Sequence, residues 1–166
     1  MDKYLIMTDL DGTLLNKESK ISEANKESLR KQIKKKKKIF LVTGRPYCYA
    51  KYQAREIDEE VKVISFNGAC YEMKNEIVEY EIDSNSIQAI INIVEKYHAH
   101  AFFKAKENIY THEAYDQRFV YDAYSKLNTF PLCQSYNELT FDDLRRKVKH
   151  ILKLNKGFIF ILFYRD

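Results

Sequence analysis

The sequence predicts a doubly wound parallel α/β sheet followed by a smaller α+β module. Three observations carry that reading. Short, largely apolar runs at 4–8, 39–42 and 61–66 alternate with segments of helical periodicity. Each run ends in residues that turn the chain: Asp11-Gly12, Thr43-Gly44 and Asn67-Gly68. After Gly68 the pattern changes to paired short strands and one strongly amphipathic segment. The length of 166 residues holds one ordinary domain or two small pieces.

Tyr4 to Thr8 reads as the first strand, and Ser22 as the N-cap of a helix reaching about Lys35, with Leu29 and Ile33 one turn apart. Ile39 to Val42 has no polar alternation, as expected of a parallel strand covered on both faces. Pro46 suits the first position of a second helix carrying Ala50, Ala54 and Ile57. Val61 to Phe66 is the third strand. Cys70–Met73 and Ile77–Ile82 form a hairpin around residues 74–76. Ile87, Ile90, Ile91, Val94 and Tyr97 mark a helix, and 101–105 with 109–112 a second hairpin. Tyr115, Phe119, Ala123 and Leu127 recur every four residues, predicting another helix, and Val148 to Leu154 reads as a last strand. The expected units are 1–82, 83–154 and an atypical tail, 155–166.

Composition narrows the function. With 45% hydrophobic residues and 14% aromatics, wholesale disorder is excluded. The net charge of +4 owes much to the run Lys34–Lys38 at a helix end, where cations meet the negative end of the dipole. That is not a basic face interleaved with aromatics, so a nucleic-acid binder ranks last. Cys48, Cys70 and Cys133 form neither a zinc pattern nor a disulfide framework, and the four histidines lack ligand spacing. Tyr4–Met7 is cut short by Thr8 and Asp9, and Phe158–Tyr164 falls well below the ~20 residues of a bilayer span. A cytoplasmic setting is expected.

Chemistry concentrates at the strand ends. Asp9 and Asp11 lie two residues apart where a strand stops, and Gly12 lets the backbone turn sharply and bring N–H groups near a ligand. Two close carboxylates beside a donor-rich turn suit a divalent metal and a phosphate; an acidic loop after an edge strand is the plainer alternative. Thr43 supplies a hydroxyl and Gly44 an approachable N–H.

The strings Asp-Leu-Asp-Gly-Thr-Leu-Leu at 9–15, Thr-Gly-Arg at 43–45 and Ser-Phe-Asn-Gly-Ala at 65–69 together resemble the haloacid dehalogenase superfamily, and within it the Cof-type phosphatases. The resemblance covers residues 3 to about 155. It implies a Rossmann-like core with an inserted α+β cap domain, and a Mg²⁺-dependent phosphatase acting on a small phosphorylated metabolite such as a sugar phosphate or nucleotide. Asp9 would attack phosphorus to form an aspartyl-phosphate, and Asp11 would serve as general acid and then base. The Asp9 carboxylate and the Asp11 carbonyl would hold Mg²⁺. Leu10, Thr43 and Gly44 would bind the phosphoryl group, and Gly12, Thr13, Arg45, Asn67 and Gly68 would line the site.

Two departures stand out. The family's glycine at the end of the first helix is Lys36 here, which implies a different, longer helix end. The family's returning lysine and Gly-Asp-x-x-x-Asp-like loop have no counterpart, so the chain reads as C-terminally truncated, and a catalytically incomplete remnant is the alternative function. The resemblance also places the missing strands beside the first one. Leu5–Thr8 is therefore expected to be an open edge prone to self-association.

Overall fold

The computed structural model describes residues 4–74, 76–99, 101–104, 109–112 and 136–154. They fall in two compact units, Met1–Glu79 and Tyr80–Asp166.

The first unit is a five-stranded sheet in the order β1-β2-β3-β4-β5. The strands are β1 (Leu5–Asp9), β2 (Lys38–Val42), β3 (Lys62–Ser65), β4 (Cys70–Met73) and β5 (Glu76–Glu79). β1, β2 and β3 are parallel, and β3-β4-β5 continue antiparallel. The connections β1-to-β2 and β2-to-β3 carry α1 (Glu23–Lys34) and α2 (Tyr47–Ile57), which touch each other. Ile39 and Leu41 of β2, Val63 of β3, and Tyr49, Ala50, Ala54 and Ile57 of α2 are buried. Burial of this apolar face is the main stabilising term of the unit.

The other face differs from the expectation. Phe40, Val42 and Ile64 are only partly buried, and Leu5 and Met7, in register with Lys38 and Phe40, are 50% and 57% exposed. Continuity of apolar residues in β2 pointed to cover on both sides. Among the described residues helices cover one side alone, because α1 and α2 follow successive crossovers in the same direction along the sheet. Among the described residues β1 is an edge of the sheet.

Ser22 caps α1, its Oγ accepting from the Asn25 N–H at 3.2 Å. Lys36 does not lengthen that helix. It takes φ 62°, with Lys36 N–H bonded to Ile33 O (2.7 Å) and Lys37 N–H to Gln32 O (3.2 Å). That is the glycine-type left-handed helix end, built with a lysine. Pro46 occupies the N-cap of α2, one residue earlier than expected; its φ of −57° and extended ψ of 150° lead into the helix that starts at Tyr47.

The second unit packs α3 (Ser84–Lys96) and α4 (Phe141–Leu154) against the sheet β6 (Phe102–Lys104), β7 (Ile109–His112) and β8 (Tyr136–Leu139). Its core holds Ile87, Ile91, Val94, Phe103, Tyr110 and Leu144. Asp83 caps α3 by accepting from the N–H groups of Asn85 and Ser86. Here the strand expected at Val148–Leu154 is overturned: those residues are the end of α4. Val148, Ile151 and Leu152 continue a helical spacing begun at Leu144, and Thr140 caps the start by accepting from Asp143 N–H at 3.1 Å. β8 escaped the sequence reading; it pairs parallel to β7, so the sheet is more than a hairpin. The helix expected around Tyr115–Leu127 and the tail 155–166 lie outside the described residues.

Candidate active site

The register places three chemistry-bearing loops at one end of the parallel strands. Asp9 pairs with Val42, and Val42 with Ile64, so the residues that follow leave the sheet side by side. The end beyond the carboxyl termini of parallel strands is where open α/β sheets build their sites.

After Asp9 the chain makes a tight loop, Leu10 to Leu14, closed by the Leu15 N–H on Leu10 O at 2.9 Å. Leu10 and Leu14 are buried and anchor it, while Asp11, Gly12 and Thr13 are exposed. Gly12 holds φ 75°, a conformation that a side chain would strain. Asp9 ends β1 with its side chain exposed.

The second loop is stitched to the third. Thr43 N–H donates to Ile64 O (2.9 Å), Asn67 N–H to Thr43 O (3.2 Å) and Phe66 N–H to Arg45 O (3.1 Å). Thr43 is buried, and its Oγ1 accepts from the Arg45 N–H at 3.1 Å. That leaves the hydroxyl hydrogen to donate. Phe66 and Asn67 both adopt left-handed backbone (φ 50° and 55°), and the resulting turn carries the Asn67 amide over Gly44. A Cβ on Gly44 would sit 2.8 Å from Asn67 Oδ1. An alanine at 44 would thus require the exposed Asn67 side chain to turn aside.

Arg45, named from sequence as a site-lining residue, faces the first loop. Its Nε and Nη2 donate to Asp11 Oδ2 at 2.8 Å and Oδ1 at 2.6 Å, a two-point fork. The guanidinium lies 4.4 Å from the centre of the buried Tyr49 ring. This clamp joins positions 34 apart and had no counterpart in spacing. Tyr49, four residues beyond Arg45 on the first turn of α2, was the available signal.

Asp9 with the Asp11 carbonyl offers two hard oxygen donors, and the described residues contain no cluster of three or more His, Cys, Asp or Glu around a common point. Mg²⁺ commonly takes one or two carboxylates and completes its shell with waters and phosphate oxygens, so this donor set fits that sparse mode and not an all-protein cage.

Residues 6–159 match the haloacid dehalogenase-like hydrolase family. The chain belongs to that family. Among its relatives, it is 25% identical over 150 residues to the Bacillus subtilis 5-amino-6-(5-phospho-D-ribitylamino)uracil phosphatase, covering 87% of this chain and 52% of that protein. Solved structures agree on the fold. A Thermotoga maritima protein superposes with a TM-score of 0.70 at 19% identity over 94% of this chain and 54% of the other. A haloacid dehalogenase subclass IIB sugar phosphatase does so at 0.67 and 23%, over 87% and 55%. The chain thus spans about half the length of the relatives it matches.

Other features sit apart from this cluster. Lys36, Lys38 and Lys62 share a groove of about 610 Å³ with Glu72 and Glu76. Lys38 and Lys62 start their strands, so this groove lies at the opposite end of the sheet from Asp9 and mixes both charges. Cys70 is buried and Cys48 partly so; neither is in a disulfide. His112 stacks on Phe141 with ring centres 3.8 Å apart. No helix among the described residues is long and apolar enough to cross a membrane.

Proposed function

We propose that this chain carries the phosphoryl-transfer half of a Mg²⁺-dependent phosphatase that hydrolyses a small phosphorylated metabolite of the sugar-phosphate or nucleotide class. The carrying observation is the register that sets Asp9, the Thr43–Gly44 turn and Asn67 at one end of three adjacent strands. The named relatives are phosphatases, which supports the reaction class.

In this reading the Asp9 carboxylate attacks phosphorus, the ester P–O bond breaks, and the departing oxygen takes a proton from Asp11. Asp11, now a carboxylate, takes a proton from water; the hydroxide attacks the aspartyl-phosphate, and phosphate leaves with Asp9 restored. Leu10 and Gly44 offer backbone N–H groups, and Thr43 its hydroxyl, to the phosphoryl oxygens. Mg²⁺, held by Asp9 and the Asp11 carbonyl, would neutralise the crowded negative charge. In the resting geometry both Asp11 oxygens are held by Arg45. Proton transfer therefore requires one of those two bonds to open, which makes Arg45 a positioning residue for Asp11.

A second reading is a phosphate-binding remnant without turnover. It is favoured by the sparse donor set, Asp9 and the Asp11 carbonyl, which no cluster of three or more His, Cys, Asp or Glu extends among the described residues. One experiment separates the two: hydrolysis of p-nitrophenyl phosphate with and without Mg²⁺, alongside calorimetric binding of inorganic phosphate. The phosphatase reading expects Mg²⁺-dependent turnover that Asp9→Asn abolishes and Asp11→Asn lowers at least ~10²-fold. Phosphate binding with no turnover by the wild type establishes the remnant, and activity persisting in Asp9→Asn refutes the nucleophile.

A further inference from the structure

On the reading that this end of the sheet receives a phosphoryl group, we propose that Asn67 is a further substrate-binding residue, its side-chain amide donating to a phosphoryl oxygen beside the Gly44 N–H and the Thr43 hydroxyl. The turn after β3 is strained. Phe66, Asn67 and Gly68 stand consecutively in left-handed backbone, at φ 50°, 55° and 95°. Glycine takes that conformation freely and asparagine tolerates it, but a bulky phenylalanine does not. Residues so held persist only where their surroundings over-determine them, and they gather at functional sites.

The surroundings here do that. Phe66 is buried and its N–H donates to Arg45 O at 3.1 Å, while the Asn67 N–H donates to Thr43 O at 3.2 Å. The Ala69 N–H closes the turn on Phe66 O (3.2 Å), and the buried Ser65 hydroxyl donates to Cys70 O across its base at 3.1 Å. What the strained turn achieves is a direction for one side chain. It carries the Asn67 amide over Gly44, with Oδ1 2.8 Å and Nδ2 3.6 Å from the position of a Gly44 Cβ. That position is about 2.5 Å from the Gly44 nitrogen by standard covalent geometry, so the amide lies within about 6 Å of the Gly44 N–H. Two donors at that separation can hold different oxygens of one phosphoryl group, each at ~2.9 Å. The broad χ2 torsion of asparagine lets Nδ2 turn towards such an oxygen without moving the backbone.

Calorimetric titration of the full chain with inorganic phosphate, Mg²⁺ present, tests this. Asn67→Gly keeps the left-handed backbone and removes the amide; it is expected to weaken phosphate binding at least ~10-fold, the scale of one hydrogen bond to a charged group. Asn67→Asp keeps the size and the backbone tolerance but sets a carboxylate over Gly44, and should weaken binding further, most at low salt. Circular dichroism melts check that both variants fold; should Asn67→Gly not, Asn67→Asp decides in its place. Phosphate bound by the wild type and held within ~2-fold by the folded Asn67 variants overturns the role of Asn67 and leaves the phosphoryl site standing. A wild type that binds no phosphate overturns the site, and the role of Asn67 with it. The readout is binding, so it stands apart from turnover.

Discussion

Removing the Arg45 guanidinium tests the clamp independently of any activity. Arg45 is 26% exposed and Asp11 49%, so their fork is a half-solvated ion pair and solvent screening caps its worth. Two charge-assisted bonds of 2.6 and 2.8 Å place it at the upper end of the exposed-pair range, about 1 kcal/mol. Contact with the Tyr49 face adds about 0.5–1 kcal/mol that does not involve Asp11. Arg45→Ala is therefore expected to cost about 1.5–2 kcal/mol, and Asp11→Ala about 1 kcal/mol. In the double variant the shared term is lost once, which leaves a coupling of about 1 kcal/mol. Urea denaturation followed by circular dichroism reads this cycle, and repeating it in 1 M salt should shrink the coupling, because the screening length falls to about 3 Å. A coupling below ~0.3 kcal/mol, within ordinary additivity error, refutes the clamp.

Gly44→Ala is expected to cost the first unit less than about 1 kcal/mol, since the new Cβ meets Asn67 Oδ1 at 2.8 Å and that exposed side-chain end can turn to another rotamer. A loss above ~2 kcal/mol in a denaturation curve counts against an Asn67 side chain that yields. Lys36→Gly, at φ 62°, should stabilise by about 0.5–1 kcal/mol, measured as a raised urea midpoint with unchanged slope. Tyr47 is held neutral by burial and by donating to Glu72 Oε1 at 2.5 Å, which raises its pKa well above the ordinary tyrosine value. That contribution is complete below pH ~10 and drains away as pH climbs past it, so the wild type should lose stability there while Tyr47→Phe shows a flatter alkaline limb.

The sequence carried the parts of this protein that depend on local pattern. Apolar runs between turn residues located β1, β2 and β3, and Ser22 was readable as a cap because its hydroxyl acts three residues away. Lys36 misled because the glycine rule states a preference: a lysine accepts the left-handed turn when two backbone bonds hold it. At Val148–Leu154 alternate residues fit a strand and a three-four spacing fits a helix. The helical cap at Thr140 decides between them. For the candidate site, the sequence named residues at three strand ends, which the register does bring side by side, and did not name their side-chain partnerships. Arg45 was read as a residue lining the site, and the fold adds its fork onto Asp11, a contact made by the juxtaposition of two loops and by no motif.

The strand order of the first unit, in which every strand lies beside its neighbour in sequence, bears on how the chain is made. Among the described strands no pairing waits for a distant segment. Once β2 has joined β1, each later strand adds to an edge already present, and α1 and α2 close over the sheet in the order of synthesis. The two parallel pairings close over helix-bearing crossovers and the antiparallel ones over short turns, so each contact lies within one or two elements of sequence. A ribosome delivering residues at about 5–20 per second leaves time for each addition before the next strand emerges. This unit can therefore assemble during translation, from its first strand outward.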